Sequence, residues 1–215
     1  MMIGDTSGLA TLINVFHTAP EHQQQMIAVW RDVGQGFERL PGFVAAALHR
    51  STDGTRVINY AQWQSAADWQ NSVTHNERQF ARFKGLGAPD PHLYEVIYRS
   101  AATATTASPL TITQAGGLAT VMNVFCVEPE RQQRLIDTWI ETSEQIKGLP
   151  GFVGAALHRS ADGTRVADYV QWESAADWEN MVKQSGQQWA KFQGLGMPDA
   201  HRYEVVYVSE SPEAH

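Results

Sequence analysis

The sequence predicts an α+β protein made of two tandem βαββαβ modules, packed on one another as a pseudo-dimer within one chain. Three observations carry this prediction: a long internal repeat, the order of hydrophobic periodicities inside each copy, and a sheet face too apolar to stay in water. Residues 8 to 100 align with residues 117 to 209 at a constant offset of 109, without a gap and with more than half of the positions identical. A period this long with only two copies excludes a solenoid and favours two modules packed face to face. The domains are therefore expected at 8 to 100 and 117 to 209. Residues 101 to 116 join them, rich in small and hydroxylated residues with one proline, and read as a flexible connector.

Each element follows from a local pattern. LATLINVF (9 to 16) and LATVMNVF (118 to 125) are short apolar runs suited to a buried strand. The next segment, APEHQQQMIAVWRDVGQGFERL, opens near a proline and spaces Met26, Trp30, Val33 and Phe37 along one helical face, until LPG stops it. GFVAAALHR (42 to 50) and TRVINYAQW (55 to 63) flank STDG, whose Asp-Gly is a strong hairpin signal. Ser65 and Ser174 open the second helices, with Asp68 and Asp177 three residues on in a variant of the capping box, and GLG closes them. HLYEVIYRS and HRYEVVYVS supply the fourth strands. The result is the ferredoxin-like order, in which two helices cover one face of an antiparallel sheet. The other face carries Val, Ala and aromatic side chains, so the second copy is expected to close over it. A cleft between helices and sheet, or between the sheets, is the expected place for a flat apolar ligand.

Composition narrows the function classes. With 215 residues and 43% apolar content the chain can bury a sizeable core. A formal charge of −7 without clustered Lys and Arg argues against nucleic acid. No run approaches the ~20 apolar residues of a membrane span, and MMIGDTSG has neither a basic region nor a hydrophobic run for export, so a cytoplasmic protein without a membrane partner is expected. Cys126 is the single cysteine and has His17 as its counterpart, which argues against shared thiol chemistry. His49, His158, His92 and His201 recur at the repeat offset, as duplication alone requires. None forms a metal-ligand spacing pattern, so no metal is expected.

One phrase stands out in both copies: TRVINYAQWQSAADW at 55 to 69 and TRVADYVQWESAADW at 164 to 178. Side chains alternate along a strand, so Val57, Asn59, Ala61 and Trp63 share one face. Asn59 and Trp63 then stand about 13 Å apart with only the Ala61 methyl between them, a span suited to a few fused aromatic rings. Trp30 and Trp69 on the helices are candidate aromatic walls. Their bland reading, with Trp63 and Trp172, is core packing.

The segment PGFVAAALHRSTDGTRVINYAQWQS, with its copy, resembles the antibiotic biosynthesis monooxygenases, small ferredoxin-like proteins of the dimeric α/β-barrel superfamily. The resemblance covers both modules. It implies oxidation of a phenolic or anthrone-type aromatic polyketide intermediate to a quinone with O2 as co-substrate, and without flavin, haem or metal. It also implies catalytic roles for Asn59 and Trp63. Trp69 stands where the family has a tyrosine on the second helix, and Arg82 is near the place of a family arginine. With Asn14 and Trp30 these are the expected substrate contacts, and Asp168 with Trp172 forms a possible second site. Association of two such chains into a homodimer is left open.

Triplet oxygen reacts with an organic molecule once deprotonation has made that molecule electron-rich. An amide such as Asn59 can donate to the developing oxyanion in a dry pocket, where a directed hydrogen bond counts for more than in water. Trp63 can stack on the ring and offer its indole N–H. Asp168 has only acceptors when ionised, so it cannot copy Asn59 unless burial keeps it protonated. The first module is therefore expected to hold the principal site, with Asp168 as a general base the competing idea. Two other classes stay open. A haem-degrading enzyme would use Asn14 and Trp63 but lacks the histidine of that set, and a polyketide cyclase or ligand-binding module would shape the substrate without using oxygen.

Overall fold

The computed structural model describes residues 1–3, 8–102, 110–114, 116–185 and 189–212. Its elements run β1 (Met2–Ile3), β2 (Ala10–Thr18), α1 (Pro20–Phe37), β3 (Phe43–Ser51), β4 (Arg56–Trp63), α2 (Ala66–His75), the short α3 (Glu77–Phe80) and β5 (Gly87–Ala101). The second half continues with β6 (Leu110–Thr111), β7 (Ala119–Cys126), α4 (Pro129–Ile146), β8 (Phe152–Ser160), β9 (Arg165–Trp172), α5 (Ala175–Gln184) and β10 (Ala200–Glu210). The predicted βαββαβ order is present in both modules.

The strands close into one antiparallel barrel in the order β10-β3-β4-β2-β5-β8-β9-β7. Each module's fourth strand crosses to the other, β5 pairing with β8 and β10 with β3. Neither module keeps a free second-strand edge, because the other covers it. The interior is filled by the inward faces of both modules, including Ile13, Ile58, Tyr60, Met122 and Tyr169. There each histidine of the second strands meets a tyrosine of the opposite module. Tyr60 Oη lies 2.9 Å from His158 Nε2, and His49 Nε2 lies 3.2 Å from Tyr169 Oη. Burial pushes both histidines down to about 4, so they sit neutral in the core at neutral pH.

Two charged clasps fasten the modules at the rim. Arg56 donates through Nε and Nη2 to the two oxygens of Asp199, both at 2.9 Å, and His201 bridges Asp199 and Asp53. Arg165, Asp90, His92 and Asp162 repeat the arrangement on the other side. These contacts account for the recurring histidines of the fourth strands.

Local signals act as predicted at the helix starts. Ser65 Oγ accepts from Asp68 N at 3.1 Å, and Ser174 Oγ from Asp177 N at 3.2 Å. The acid accepts the serine hydroxyl instead of reaching back to the serine backbone N–H, because an aspartate is a methylene shorter than the glutamate of the usual box. Gly42 takes φ +77°, and a Cβ there would lie 2.3 Å from Asp68 Cγ, so this turn locks the start of β3 against α2.

Two expectations are corrected. The connector is not uniformly flexible, since Leu110 and Ile112 are buried beside Met1 and Ile3, and β6 pairs with β1. Period-two Leu and Ile closed the open end of the barrel despite the surrounding small residues. Residues 103–109 of the expected connector lie outside the described residues. The second helix also does not run to GLG. It stops at Asn76, whose backbone leaves the helical region, and α3 with a 3-10 turn at Ala81–Phe83 follows.

Candidate functional site

Asn59 and Trp63 lie on the outer face of the sheet, under the helices, and line a cavity of about 270 Å³ between helices and sheet. That volume is near the lower end of the roughly 300–1,000 Å³ of small-molecule sites. Strand parity places Asn59, Ala61 and Trp63 of β4 beside Leu12, Asn14 and Phe16 of β2. β3 adds Phe43, Ala46 and Leu48, the first brought to this face by a register shift before Ala45. α1 lays Trp30, Gly34 and Phe37 over the strands at i, i+4 and i+7, and α2 contributes Trp69 and Val73 at i, i+4. The break at Asn76 turns Phe80 and Phe83 inward. The rings interlock: Trp30 lies 5.2 Å from Phe83 and 5.9 Å from Phe16, and Trp63 is edge-on to Phe43 at 5.4 Å.

Most of the expected contacts are therefore brought together: Asn14, Trp30, Asn59, Trp63 and Trp69 all line the cavity. Arg82 does not. It is exposed, pairs with Asp32 at 2.7 Å and is absent from the lining, because the 3-10 turn buries Phe83 and leaves its neighbour in solvent. Sequence reasoning missed Phe80, Phe83, Pro89 and Pro91, and it missed Tyr207 and Ser209, which β10 carries in from the second module. The repeated EVIYRS and EVVYVS hold the signal for the tyrosine, but not the crossing that delivers it to the opposite half.

The wall is almost wholly apolar, yet buried polar atoms in it are unmet. Asn14 Oδ1, Trp30 Nε1 and Trp63 Nε1 have no partner among the described residues. Each such atom costs on the order of 1–3 kcal/mol, and the three, one acceptor and two donors, belong to residues that line the cavity. Trp172 Nε1 is unmet as well, so the Trp63 orphan belongs to that strand position in both copies. The other two belong to the first module alone.

In the second module the same positions satisfy one another. Trp139 Nε1 donates to Asp168 Oδ2 at 2.8 Å, Asn123 N donates to Asp168 Oδ1 at 3.2 Å, and Asn123 Oδ1 accepts from Asp199 N at 3.0 Å. Burial pushes the Asp168 carboxyl up to about 7 against these donors. Its two oxygens are engaged inside the protein, and Trp172 is packed in the core against Phe152. The carboxyl oxygen thus marks where the N–H of Trp139, and by the repeat that of Trp30, expects an acceptor.

The profile of the family described as antibiotic biosynthesis monooxygenase matches residues 10–83 and 118–193, one match per module. The chain belongs to that family. Tetracenomycin-F1 monooxygenase of Streptomyces glaucescens is 44% identical over 72 residues, which are 33% of this chain and 64% of that protein. The chain therefore spans just under two thirds of the length of that curated relative. Among solved structures, an anthrone oxidase-like protein superposes with a TM-score of 0.85 at 21% identity, covering 100% of this chain and 98% of the other. A monooxygenase-like protein of Listeria innocua gives a TM-score of 0.50 at 11% identity, covering 93% and 95%. These structures share the fold of this family member. No helix among the described residues is long and apolar enough to cross a membrane.

Proposed function

We propose that this chain is a monooxygenase that oxidises a phenolic or anthrone-type aromatic polyketide intermediate to a quinone with O2, the substrate itself supplying the electrons. The observation that carries the reading is the cavity of the first module, apolar and aromatic, with Asn59 and Trp63 on one strand face and with Asn14 and Trp30, which hold unmet polar atoms, among its lining residues. A flat guest fills the space between the strands and α1. Its oxygens are met by the few polar groups in an otherwise dry wall.

In such a wall a substrate anion is strongly destabilised unless a donor faces it. The Asn59 amide N–H supplies that donor, so the anion persists long enough to pass one electron to O2. Substrate radical and superoxide recombine to a peroxide at the activated carbon. Loss of water leaves the new carbonyl: one anthrone methylene and one O2 give one quinone and one H2O. The apolar enclosure keeps bulk water from protonating the anion or quenching the peroxide. Asp168 has both oxygens engaged by donors inside the protein, Trp139 Nε1 and Asn123 N, and turnover is assigned to the first module. The family membership and the substrate in the name of the Streptomyces relative support the substrate class.

The test is oxygen uptake and quinone absorbance with anthrone as the probe. The wild-type chain should consume O2 above the uncatalysed rate. Asn59→Ala should lose on the order of 10²–10³ in kcat, as removal of an oxyanion donor does elsewhere. Wild-type rates in Asn59→Ala would remove the assignment of the site. No uptake by the wild type would favour a cyclase or a ligand-binding module.

A further inference from the structure

The oxidation proposed above needs a proton removed from the substrate, and the cavity has one ionisable side chain among its described lining residues, Tyr207. It comes from β10 of the second module, opposite Leu48 of β3. Its hydroxyl donates to Glu38 Oε1 at 2.5 Å, a short charge-assisted bond. Glu38 caps the C-terminal end of α1 and is partly exposed. A continuous path therefore runs from the cavity, through one hydroxyl, to a carboxylate in contact with water.

We propose that Tyr207 and Glu38 are the proton outlet of the first module's site: Tyr207 Oη accepts the acidic proton of the bound phenol or anthrone while passing its own proton to Glu38. The substrate O–H or C–H bond breaks and its electron pair stays on the substrate as the anion. A new O–H forms on Tyr207, its former O–H breaks, and the proton ends on the Glu38 carboxylate and leaves to solvent. No electrons move between protein and substrate in this step.

The two transfers have to be concerted. Burial, reinforced by the Glu38 bond, pushes the Tyr207 phenol up to about 12, so a free tyrosinate is not an intermediate at neutral pH. The charged groups facing Tyr207 are Glu38 and Arg31, both from α1, while β3 presents Leu48 and β10 itself Ser209. Arg31 Nη2 also donates to Val206 O at 2.8 Å, which fixes the strand beside the tyrosine. In the other half Tyr98 makes the matching bond to Glu144 at 2.5 Å, with Lys147 at the position of Glu38. The tyrosine–acid pair thus also fastens each last strand to the opposite helix. A test has to separate proton transfer from that docking.

The inference rests on the oxygenase reading, and the experiment distinguishes the two. Rates of quinone formation from 1,8-dihydroxyanthrone are measured against pH for the full chain, Tyr207→Phe, Glu38→Gln and Asn59→Ala. Below the pH at which the probe ionises by itself, Tyr207→Phe and Glu38→Gln should fall by about 10²-fold in kcat, the lower end for a lost general base. Above that pH both should approach the wild-type rate, because the substrate arrives already ionised. A loss of the same factor at every pH would mean a structural role and overturn the proposal, as would wild-type rates throughout. If Asn59→Ala is inactive while both outlet variants are unaffected, the relay alone fails. If Asn59→Ala is fully active, the oxygenase site itself is wrong. Glu38→Gln keeps an acceptor for the Tyr207 hydroxyl, so it reports proton uptake with the strand still fastened.

Discussion

Replacing Asp168 by asparagine, the residue the first module carries at the same place, should stabilise the protein in a pH-dependent way. The folded carboxyl is pushed from an ordinary 3.8 to about 7, chiefly by burial. A raised carboxyl contributes its full share of stability below the unfolded value and loses it as pH rises through the folded one. Below about pH 4 both states are protonated and no penalty exists. Between about pH 4 and 7 the unfolded chain releases a proton that the native state keeps, and stability falls by about 1.4 kcal/mol per pH unit. Across the whole interval this amounts to roughly 4 kcal/mol, a large part of the 5–15 kcal/mol by which domains are stable. Asparagine does not titrate, and its amide oxygen still accepts from one of the two donors, Trp139 Nε1 or Asn123 N. The stability of Asp168→Asn relative to wild type should therefore climb by roughly 4 kcal/mol between pH 4 and pH 8. Urea unfolding at a series of pH values reads this directly. A difference that stays constant within about 1 kcal/mol over that range would refute the claim that a desolvated carboxyl is held in the second module.

Two further perturbations test the site and the assembly. Trp30→Phe keeps an aromatic ring against Phe16 and Phe83 and removes the unmet N–H. It should leave the melting temperature within a few degrees and weaken binding of 1,8-dihydroxyanthraquinone by about 1.5–3 kcal/mol if that N–H meets a charged oxygen. Unchanged affinity by fluorescence titration would show that Trp30 is only a wall. Arg56→Ala removes both bonds to Asp199, whose carboxyl is held well below the usual range by His201 and Arg56 against the effect of burial. Loss of this partly buried clasp between the modules should cost about 1–3 kcal/mol, read as a lower denaturant midpoint. No shift would mean that the barrel core alone sets the association.

Much of the frame is legible in the chain because it depends on local periodicity. The alternation in TRVINYAQW places Asn59, Ala61 and Trp63 on one face, and the cavity lies on that face. Trp30 and Phe37 share a helical stripe and end in the same wall. Where several weak signals compete, the local reading fails. Leu110 and Ile112 are outnumbered by serine, threonine and alanine, yet the open barrel end takes them in. Arg82 sits one residue from buried Phe83, and a break at Asn76 decides which of the two turns inward.

The duplication and the Asn59-to-Asp168 difference already separate the two modules in sequence, since an ionised carboxylate cannot donate where an amide can. What the difference does needs neighbours far away in the chain. The Trp139 indole N–H and the Asn123 backbone N–H close around Asp168, and Asn123 Oδ1 accepts from Asp199 N, while Trp30 Nε1 and Asn14 Oδ1 stay unmet in residues that line a cavity. The exchange of fourth strands is likewise beyond any local pattern, because hydrogen bonding from β10 to β3 satisfies the same backbone groups whichever module supplies the strand. Only closure of the eight-stranded barrel sends Tyr207 and Ser209 across to complete the wall of the first module's cavity.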